Sequence, residues 1–166
     1  MRTLTKLMLG LGLTVSATVN AAGLAVVDLA KVVESSTYLK QQNASLSQSV
    51  KPTSTRLEQL GKELESLQQK AQTDGQKMNQ ADIQKLTAQY QSKLSEFNST
   101  QQGLQTKVQS SLQAMNTTFE TRVKQAAEQL RKENNLDFIL NKNSTIASDA
   151  QYDLTDKMIQ KVNSIK

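Results

Sequence analysis

Paired carboxylates are the first residues to test for chemistry, because two acids held close together can act as general acid and base. Glu63 and Glu65 lie two residues apart in a helical pattern, so their side chains face different ways. The acids Asp149, Asp153 and Asp156 lack the glycine and the terminal glutamate of an EF-hand loop. We expect this second group to cap the helix that follows it. Neither group predicts an active site.

Other catalytic chemistries lack their residues. The chain contains no cysteine and no histidine, which excludes thiol and imidazole catalysis, the usual zinc ligands and disulfide bonds. The six glycines are scattered, and no GxxxxGK[ST] phosphate-binding loop occurs. We therefore predict a non-enzymatic protein with no metal and no cofactor.

Basic residues recur around one predicted turn. Lys62, Lys70, Lys77, Lys85 and Lys93 are spaced seven or eight residues apart. Such a basic tip favours contact with anionic lipid or with acidic segments of a partner. The alternative is that these lysines only keep an exposed helix soluble. The residues that we predict to make contact at the tip are Lys70, Lys77, Met78, Lys85 and Lys93.

The first residues have the pattern of a secretory signal peptide. Arg2 and Lys6 precede an uncharged run from Leu7 to Val19, and small residues follow it. The run is shorter than the about 20 apolar residues of a membrane-spanning helix. We predict a signal peptide over residues 1–21, cleavage after Ala21, and a soluble periplasmic product.

Net charge argues against nucleic-acid binding. Removal of residues 1–21 takes two of the 20 basic residues and leaves 18 against 15 acidic ones, or +3. A charge this small, together with export, makes a nucleic-acid partner improbable despite a pI near 9.4. The positive charge is concentrated in residues 37–134, which carry 13 basic and 9 acidic residues.

Apolar spacing predicts a long antiparallel coiled-coil hairpin over residues 37–134, with its tip near residues 72–82. Asp74-Gly75 ends the first pattern, and the polar run to Asp82 predicts a turn with a new N-cap. The first stripe comprises Leu39, Leu46, Val50, Leu57, Leu60, Leu64, Leu67 and Ala71. The second comprises Ile83, Leu86, Tyr90, Leu94, Phe97, Leu104, Val108, Leu112, Met115, Phe119, Val123, Ala126 and Leu130.

Pro52 lies inside the first predicted helix and removes a helical hydrogen bond. Folding the hairpin about residues 76 and 77 places it opposite position 101, close to Gly103. One interpretation is a hinge formed by Pro52 and Gly103 that lets the hairpin bend. The other is that Pro52 begins a helix after a local break and that Gly103 is merely tolerated.

The ends of the chain have a different character. Leu24–Asp28, Leu136–Leu140 and Thr145–Ser148 read as short strands, and a final helix begins near Leu154 with Asp153 as its cap. Residues 22–36 and 135–166 are thus predicted to form one small β-containing body. A body of this size buries little surface alone, so we expect self-association. The fold class is mainly α with a small β body.

At this point the sequence resembles the Skp/OmpH family of periplasmic chaperones. The resemblance rests on the signal peptide, the Leu24-Ala-Val-Val-Asp28 segment, the Lys/Gln-rich hairpin, the Leu136-Asp-Phe-Ile-Leu140 segment and the closing stretch Asp153–Val162. It extends through the mature chain. The end segments are the most specific part, since many coiled coils share the composition of the hairpin.

The resemblance implies a homotrimer whose strands join into a small barrel, with helical arms that enclose unfolded outer-membrane proteins. Such a chaperone works without ATP, prevents aggregation and aids delivery to the outer membrane; contact with lipopolysaccharide is a further expectation. A non-catalytic coiled-coil adaptor of the cell envelope remains the alternative. By resemblance, the assembling residues are Ala25, Val26, Val27, Phe138, Ile139 and Leu140.

Overall fold

The computed structural model describes residues 23–166, so the predicted signal peptide lies outside the described residues. Two long helices dominate, and short elements surround their base. The elements in chain order are β1 (Leu24–Val27), α1 (Leu29–Ser35), α2 (Thr37–Asp74), α3 (Gln80–Glu133), β2 (Phe138–Asn141) and α4 (Thr155–Ser164). Single 3-10 turns lie at Gly75–Lys77, Lys142–Ser144 and Ala150–Tyr152.

Helices α2 and α3 form the predicted antiparallel hairpin, called the arm below (residues 37–134). Its direction is fixed by cross-helix contacts from Ser49 to Lys107 and from Glu63 to Lys93. At 1.5 Å per residue, α2 is about 57 Å long and α3 about 81 Å. The chain reverses through Gly75–Lys77. Asn79, not Asp82, is the N-cap of α3, because its side chain accepts from the Asp82 N–H at 2.9 Å.

The α2 helix continues through Pro52 from Thr37 to Asp74. The interpretation that Pro52 begins a new helix after a break is therefore wrong. A proline inside a helix leaves one carbonyl of the preceding turn without its usual donor. The apolar residues on either side of Pro52, Val50 and Leu57, are half-buried.

The apolar seam between the two helices follows most of the predicted stripe. Leu60 is fully buried, and most other seam positions of α2 are half-buried. Two predicted seam residues of α3 are wrong: Leu94 and Leu112 are each more than a third exposed. At these two heights the half-buried neighbours are Lys93 and Ser111. Because the 3.6-residue stripe drifts around a long helix, a position chosen by spacing can lie beside the seam.

A small parallel sheet joins the two ends of the chain. Strand β1 pairs with β2 in a register that sets Leu24 beside Phe138 and Val27 beside Asn141. The predicted third strand, Thr145–Ser148, is wrong. Thr145 instead closes a turn, since both its N–H and its hydroxyl donate to the carbonyl of Lys142.

The second edge of β1 is met by the start of the final helix instead of a strand. Val26 forms a single bridge with Asp153, and its carbonyl accepts from the Leu154 N–H at 2.9 Å. The Asp153 side chain accepts from the Thr155 N–H at 3.0 Å, so it holds the first turn of α4 from one position before the N-cap. The predicted cap is therefore one residue off, because Leu154 is the N-cap and Asp153 bonds to the first turn from the position before it.

Helix α1 was not predicted. Asp28 caps it by accepting from the Lys31 N–H, and Val32 is its one buried residue. A buried serine, Ser36, separates α1 from α2, and its hydroxyl accepts from the Leu39 N–H. Seven residues are too few for periodicity to be visible in the sequence.

The core lies in the body, defined as residues 23–36 and 135–166, together with the base of α3. Apolar residues of β1, α1 and α4 pack there against Ala126 and Leu130. The prediction that the ends bury little surface is therefore incomplete, because α3 supplies part of their core. The buried members are Ala25, Val27, Val32, Ala126, Leu130, Leu154, Met158 and Val162.

Candidate functional site

The distal half of the arm is joined by an ion-pair network. Arg56 of α2 donates from Nε to Glu96 of α3 at 3.0 Å, and Lys93 of α3 lies 2.7 Å from Glu63 of α2. Lys93 also lies 3.7 Å from Glu96, and Arg56 lies 3.5 Å from Glu63. Each helix therefore supplies one base and one acid, and two of the four ion pairs cross between the helices.

Hydrogen bonding in this network lowers the pKa values of its two acids, Glu96 and Glu63. Arg56 holds the pKa of Glu96 below its usual value, and Lys93 does the same for Glu63. The side chains are 34% to 41% exposed, so solvent screens the attraction and the net stabilisation is small. The network fixes the register of the two helices more than it stabilises them.

The tip carries an apolar groove of about 400 Å³ where the two helices meet the turn. Lys70, Lys77 and Lys85 are exposed near it and form no ion pair within residues 23–166. Lys93, predicted to belong with them, lies instead in the ion-pair network. The apolar lining comprises Leu67, Ala71, Met78, Ile83, Leu86 and Tyr90.

The region of Pro52 contains an unusual contact between the helices. Lys107 Nζ of α3 donates to the backbone carbonyl of Ser49 at 3.0 Å, one turn before Pro52. Gly103 lies on the facing helix, where an added Cβ would meet nothing within 4 Å. Because Ser49 contacts Lys107 and Arg56 contacts Glu96, Pro52 lies opposite the segment that contains Gly103.

The body carries exposed apolar side chains around its sheet. Phe138 is 58% exposed, and Ile146 is fully exposed. Leu24, Leu140 and Tyr152 are also exposed, and these three line a groove of about 400 Å³ with residues of the 145–149 loop. This surface is a candidate interface.

The predicted assembly residues differ in how far they are buried within this chain. The side chains of Ala25, Val26 and Val27 are buried within this chain, Ile139 is half-buried, and Phe138 and Leu140 point outward. Among the described residues, the outer edge of β2 has no strand beside it. An exposed edge with apolar side chains can pair with another strand.

Helix α4 fastens the base of the arm. Asn163 accepts from both the N–H and the hydroxyl of Thr37, at 2.9 and 3.0 Å, and donates to the carbonyl of Ser35 at 3.2 Å. Arg122 of α3 lies over the ring of Tyr38, 4.2 Å from its centroid. The start of α2 is thus held from two sides.

A second polar cluster holds the sheet to α4. Lys142 Nζ lies 2.6 Å from Asp153, and the bonds from Lys142 and Thr155 lower the pKa of Asp153 to about 2. The Thr155 hydroxyl in turn accepts from the Asp28 N–H at 2.9 Å. Asp149 is used separately, as the cap of a 3-10 turn, so the acidic residues do not converge on one site.

Sequence reasoning missed the ion-pair network and the Asn163 contacts. Opposite charges at facing heights of the hairpin were available as a signal for the network. Asn163 had none, because its partners are 126 and 128 residues away along the chain. Within residues 23–166 no group of acids could hold a metal ion. In the same range, no helix is both long and apolar enough to cross a bilayer.

Comparison with known proteins identifies the family. A family model described as outer membrane protein (OmpH-like) matches residues 23–162, and the chain therefore belongs to the OmpH-like family. This confirms the resemblance predicted from the sequence. No curated protein has a matching sequence.

A solved structure has a similar fold. The chain resembles the crystal structure of a protein from Caulobacter crescentus CB15 that is described as a candidate outer membrane chaperone (OmpH-like), with a TM-score of 0.73. The two are 15% identical, and the match covers 87% of this chain and 85% of that chain. At this identity the likeness establishes the fold, which is the predicted arrangement of long helices and a small sheet.

Proposed function

We propose that this protein is an ATP-independent holdase chaperone of the periplasm, which binds unfolded outer-membrane β-barrel proteins, prevents their aggregation and aids their delivery to the outer membrane. Membership in the OmpH-like family carries the proposal. The fold shared with the Caulobacter protein supports it. No catalytic residue and no cofactor take part.

The arm suits this function physically. An unfolded barrel exposes alternating apolar strands that pair edge to edge and aggregate. A holdase must shield such a chain through many weak contacts without selecting one sequence. The grooves along the arm are open and lined by both apolar and polar side chains, which suits adaptable binding. Release follows when the client's own folding in the membrane competes for the same strands.

Suppression of aggregation tests the proposal directly. An outer-membrane β-barrel protein unfolded in urea is diluted into buffer with increasing amounts of the mature chain, and light scattering is recorded. We expect scattering to fall to the baseline at near-stoichiometric amounts of the assembled chaperone. An envelope adaptor would leave scattering unchanged, and that result would exclude the holdase function.

The active form in this proposal is a homotrimer with client held between three arms. The exposed Phe138 and Leu140 of β2, and the open edge of that strand, provide the contact between copies. Ala25, Val26 and Val27 contribute by holding β1 beside β2. The β strands of several copies would then form one sheet.

Mass measurement in solution tests the assembly. We expect the parent chain to have three times the monomer mass and the Phe138→Glu, Leu140→Glu double variant to be a monomer, because buried charges oppose assembly. The Gln48→Glu, Gln59→Glu double variant, at exposed positions of α2, adds the same charge and is the control that should keep the trimer. A monomeric parent would contradict the proposal.

The tip has a second proposed role in contact with anionic lipid, including lipopolysaccharide, or with acidic client segments. The groove beside Met78 and the exposed Lys70, Lys77 and Lys85 support it. Lys93 contributes through its place in the ion-pair network. Cosedimentation with vesicles that contain phosphatidylglycerol should fall when the three exposed lysines are changed to glutamine. Equal cosedimentation would limit these lysines to a solubilising role.

Pro52 and Gly103 remain a proposed hinge that adjusts the arm to client size. The continuous helix through Pro52 and the open space at Gly103 are compatible with bending at this height. X-ray scattering should show a narrower range of arm conformations for Pro52→Ala than for the parent. An unchanged range would exclude the hinge.

A further inference from the structure

The distal and middle part of α3 has an unusual distribution of charge. Between Leu86 and Phe119 the only charged residues are Lys93, Glu96 and Lys107. All three are bonded to α2, through Glu63, Arg56 and the Ser49 carbonyl respectively. The rest of this surface, which is about 50 Å long, carries no charge.

The uncharged surface of α3, defined as the exposed residues of the segment 86–119 other than Lys107, consists of amides, hydroxyls, two alanines, Gly103 and two leucines. Leu94 is 37% and Leu112 is 39% exposed. The α2 helix differs, because its exposed side carries Lys40, Lys51 and Glu65 as well as the Glu58–Lys62 pair. The exposed amides of α3 are Gln89, Gln91, Asn98, Gln101, Gln102, Gln105, Gln109, Gln113 and Asn116.

An exposed helix is normally kept soluble by charges of both signs. Their absence from this surface of α3, and their presence on the exposed side of α2, indicates that the surface serves contact. Amide and hydroxyl groups both donate and accept hydrogen bonds, so they can bind the backbone of an extended chain whatever its sequence. A neutral surface also admits client segments of either charge, because it repels neither.

A second copy of the chain fits this surface less well. Leu94 and Leu112 are 18 residues apart, which corresponds to about 27 Å along the helix. They do not form the contiguous apolar patch that a stable protein interface needs. Isolated apolar contacts among neutral polar groups suit a chain that is unfolded and changes its contacts.

We propose that the uncharged surface of α3 between Leu86 and Phe119 is the wall against which unfolded polypeptide is held. The inference rests on the proposed holdase function and names the helix that performs it. Binding involves the client backbone and scattered apolar side chains, and it does not depend on client charge. The basic tip and the charged face of α2 are not the main contact.

Matched charge substitutions test the proposal. Gln91→Glu, Gln102→Glu and Gln109→Glu are combined on α3, and Gln48→Glu, Gln59→Glu and Gln69→Glu are combined on α2. All six glutamines are exposed, the change is nearly isosteric, and both triple variants alter the net charge equally. Long-range electrostatic effects on a client are therefore similar, so a difference between the variants reports local contact.

The measurement is the Kd of each chain for a fluorescently labelled outer-membrane β-barrel protein unfolded in urea, with oligomer mass as a second readout. We expect the α3 variant to bind about tenfold more weakly, which corresponds to roughly 1.4 kcal/mol. The α2 variant should bind within about twofold of the parent, as expected for an uninvolved surface. Both should keep the parent's mass.

Three outcomes overturn the proposal. Equal weakening by the two variants would assign the effect to general charge, and unchanged binding by the α3 variant would place the client elsewhere. A changed oligomer mass in the α3 variant alone would make this surface an interface between copies. In each of these cases the parent still binds client, so the holdase function survives. A parent that binds no client overturns both proposals.

Discussion

The body and the arm are stabilised in different ways. The body encloses an apolar core, in which Val27, Met158 and Val162 are no more than 1% exposed. In the arm beyond the base of α3, Leu60 and Met115 are the buried apolar residues, and the other described seam residues are half-buried or exposed. A two-helix hairpin has no third layer to cover its seam, whereas the sheet, α1, α4 and the base of α3 enclose one core.

The polar contacts of the body and of the arm also differ. In the body they join residues far apart in sequence, such as Asp28 with Thr155 and Ser35 with Asn163. In the arm they are exposed ion pairs such as Lys93 with Glu63. One chain can therefore combine a body that has an enclosed core with a folded arm whose open seam and exposed side chains are available to varied partners.

The largest effect is expected in the body. Met158→Ala removes a side chain that is 1% exposed in the core, and we expect it to lower the free energy of unfolding by about 3 kcal/mol. Urea titration followed by circular dichroism measures the loss. Gln59→Ala, at an exposed arm position, is the control and should change stability by less than about 0.5 kcal/mol. Similar losses for both would contradict the comparison.

The next effect belongs to the arm. Leu60→Ala leaves a cavity at the one fully buried position of α2, and we expect a local cost of about 2 kcal/mol. Hydrogen exchange should accelerate in α2 and the facing part of α3, while the amides of β1 and α4 keep their protection. Acceleration that spreads equally through the body would show that arm and body unfold as one unit.

A smaller effect distinguishes the polar cluster of the body by its pH dependence. Asp153→Asn removes the charge that binds Lys142, and we expect a loss of about 1.5 kcal/mol at pH 6. The pKa of Asp153 is lowered to about 2, so its stabilisation is present above its ordinary pKa and disappears as pH falls toward 2. Urea midpoints of the two chains should therefore converge near pH 2. A constant difference would contradict the ion pair.

The smallest effect is expected in the arm's ion-pair network. Glu96→Gln removes one acid of the network, and its exposure limits the loss in Tm to about 2 °C. Salt at about 1 M should abolish the difference, since it shortens the screening length to about 3 Å. Glu65→Gln is the matched control, because Glu65 forms no ion pair within residues 23–166. A larger or salt-independent loss would mean that the network stabilises the arm as the core stabilises the body.

Sequence reasoning was most accurate where one pattern repeats over many residues. The hairpin follows from leucines at heptad spacing, and the turn follows from Asp74-Gly75. Reasoning was least accurate in the body, where α1 was missed and a strand at Thr145–Ser148 was wrongly expected. Short elements have few residues to show a period, and their conformation depends on partners distant in sequence.

The candidate surfaces also differ in how far the sequence predicts them. The basic tip was visible in the spacing of Lys70, Lys77 and Lys85. The uncharged surface of α3 was not recognised, because its recognition requires knowing that Lys93 and Lys107 are turned toward α2. Composition shows which side chains are present, and contact between the helices decides which of them remain exposed to solvent.

By itself, the sequence determined that two long helices form, where they reverse, and that no thiol or imidazole chemistry takes place, since periodicity and composition are local properties. Only the tertiary structure decided that β1 and β2 run parallel, that Asp153 replaces a third strand beside Val26, and that Lys93 and Glu96 of α3 pair with charges of α2. These features join residues that lie 30 to 127 positions apart, from Lys93 with Glu63 to Val26 with Asp153. Contacts of this kind contribute to the free energy of folding only after the chain has brought the two residues together.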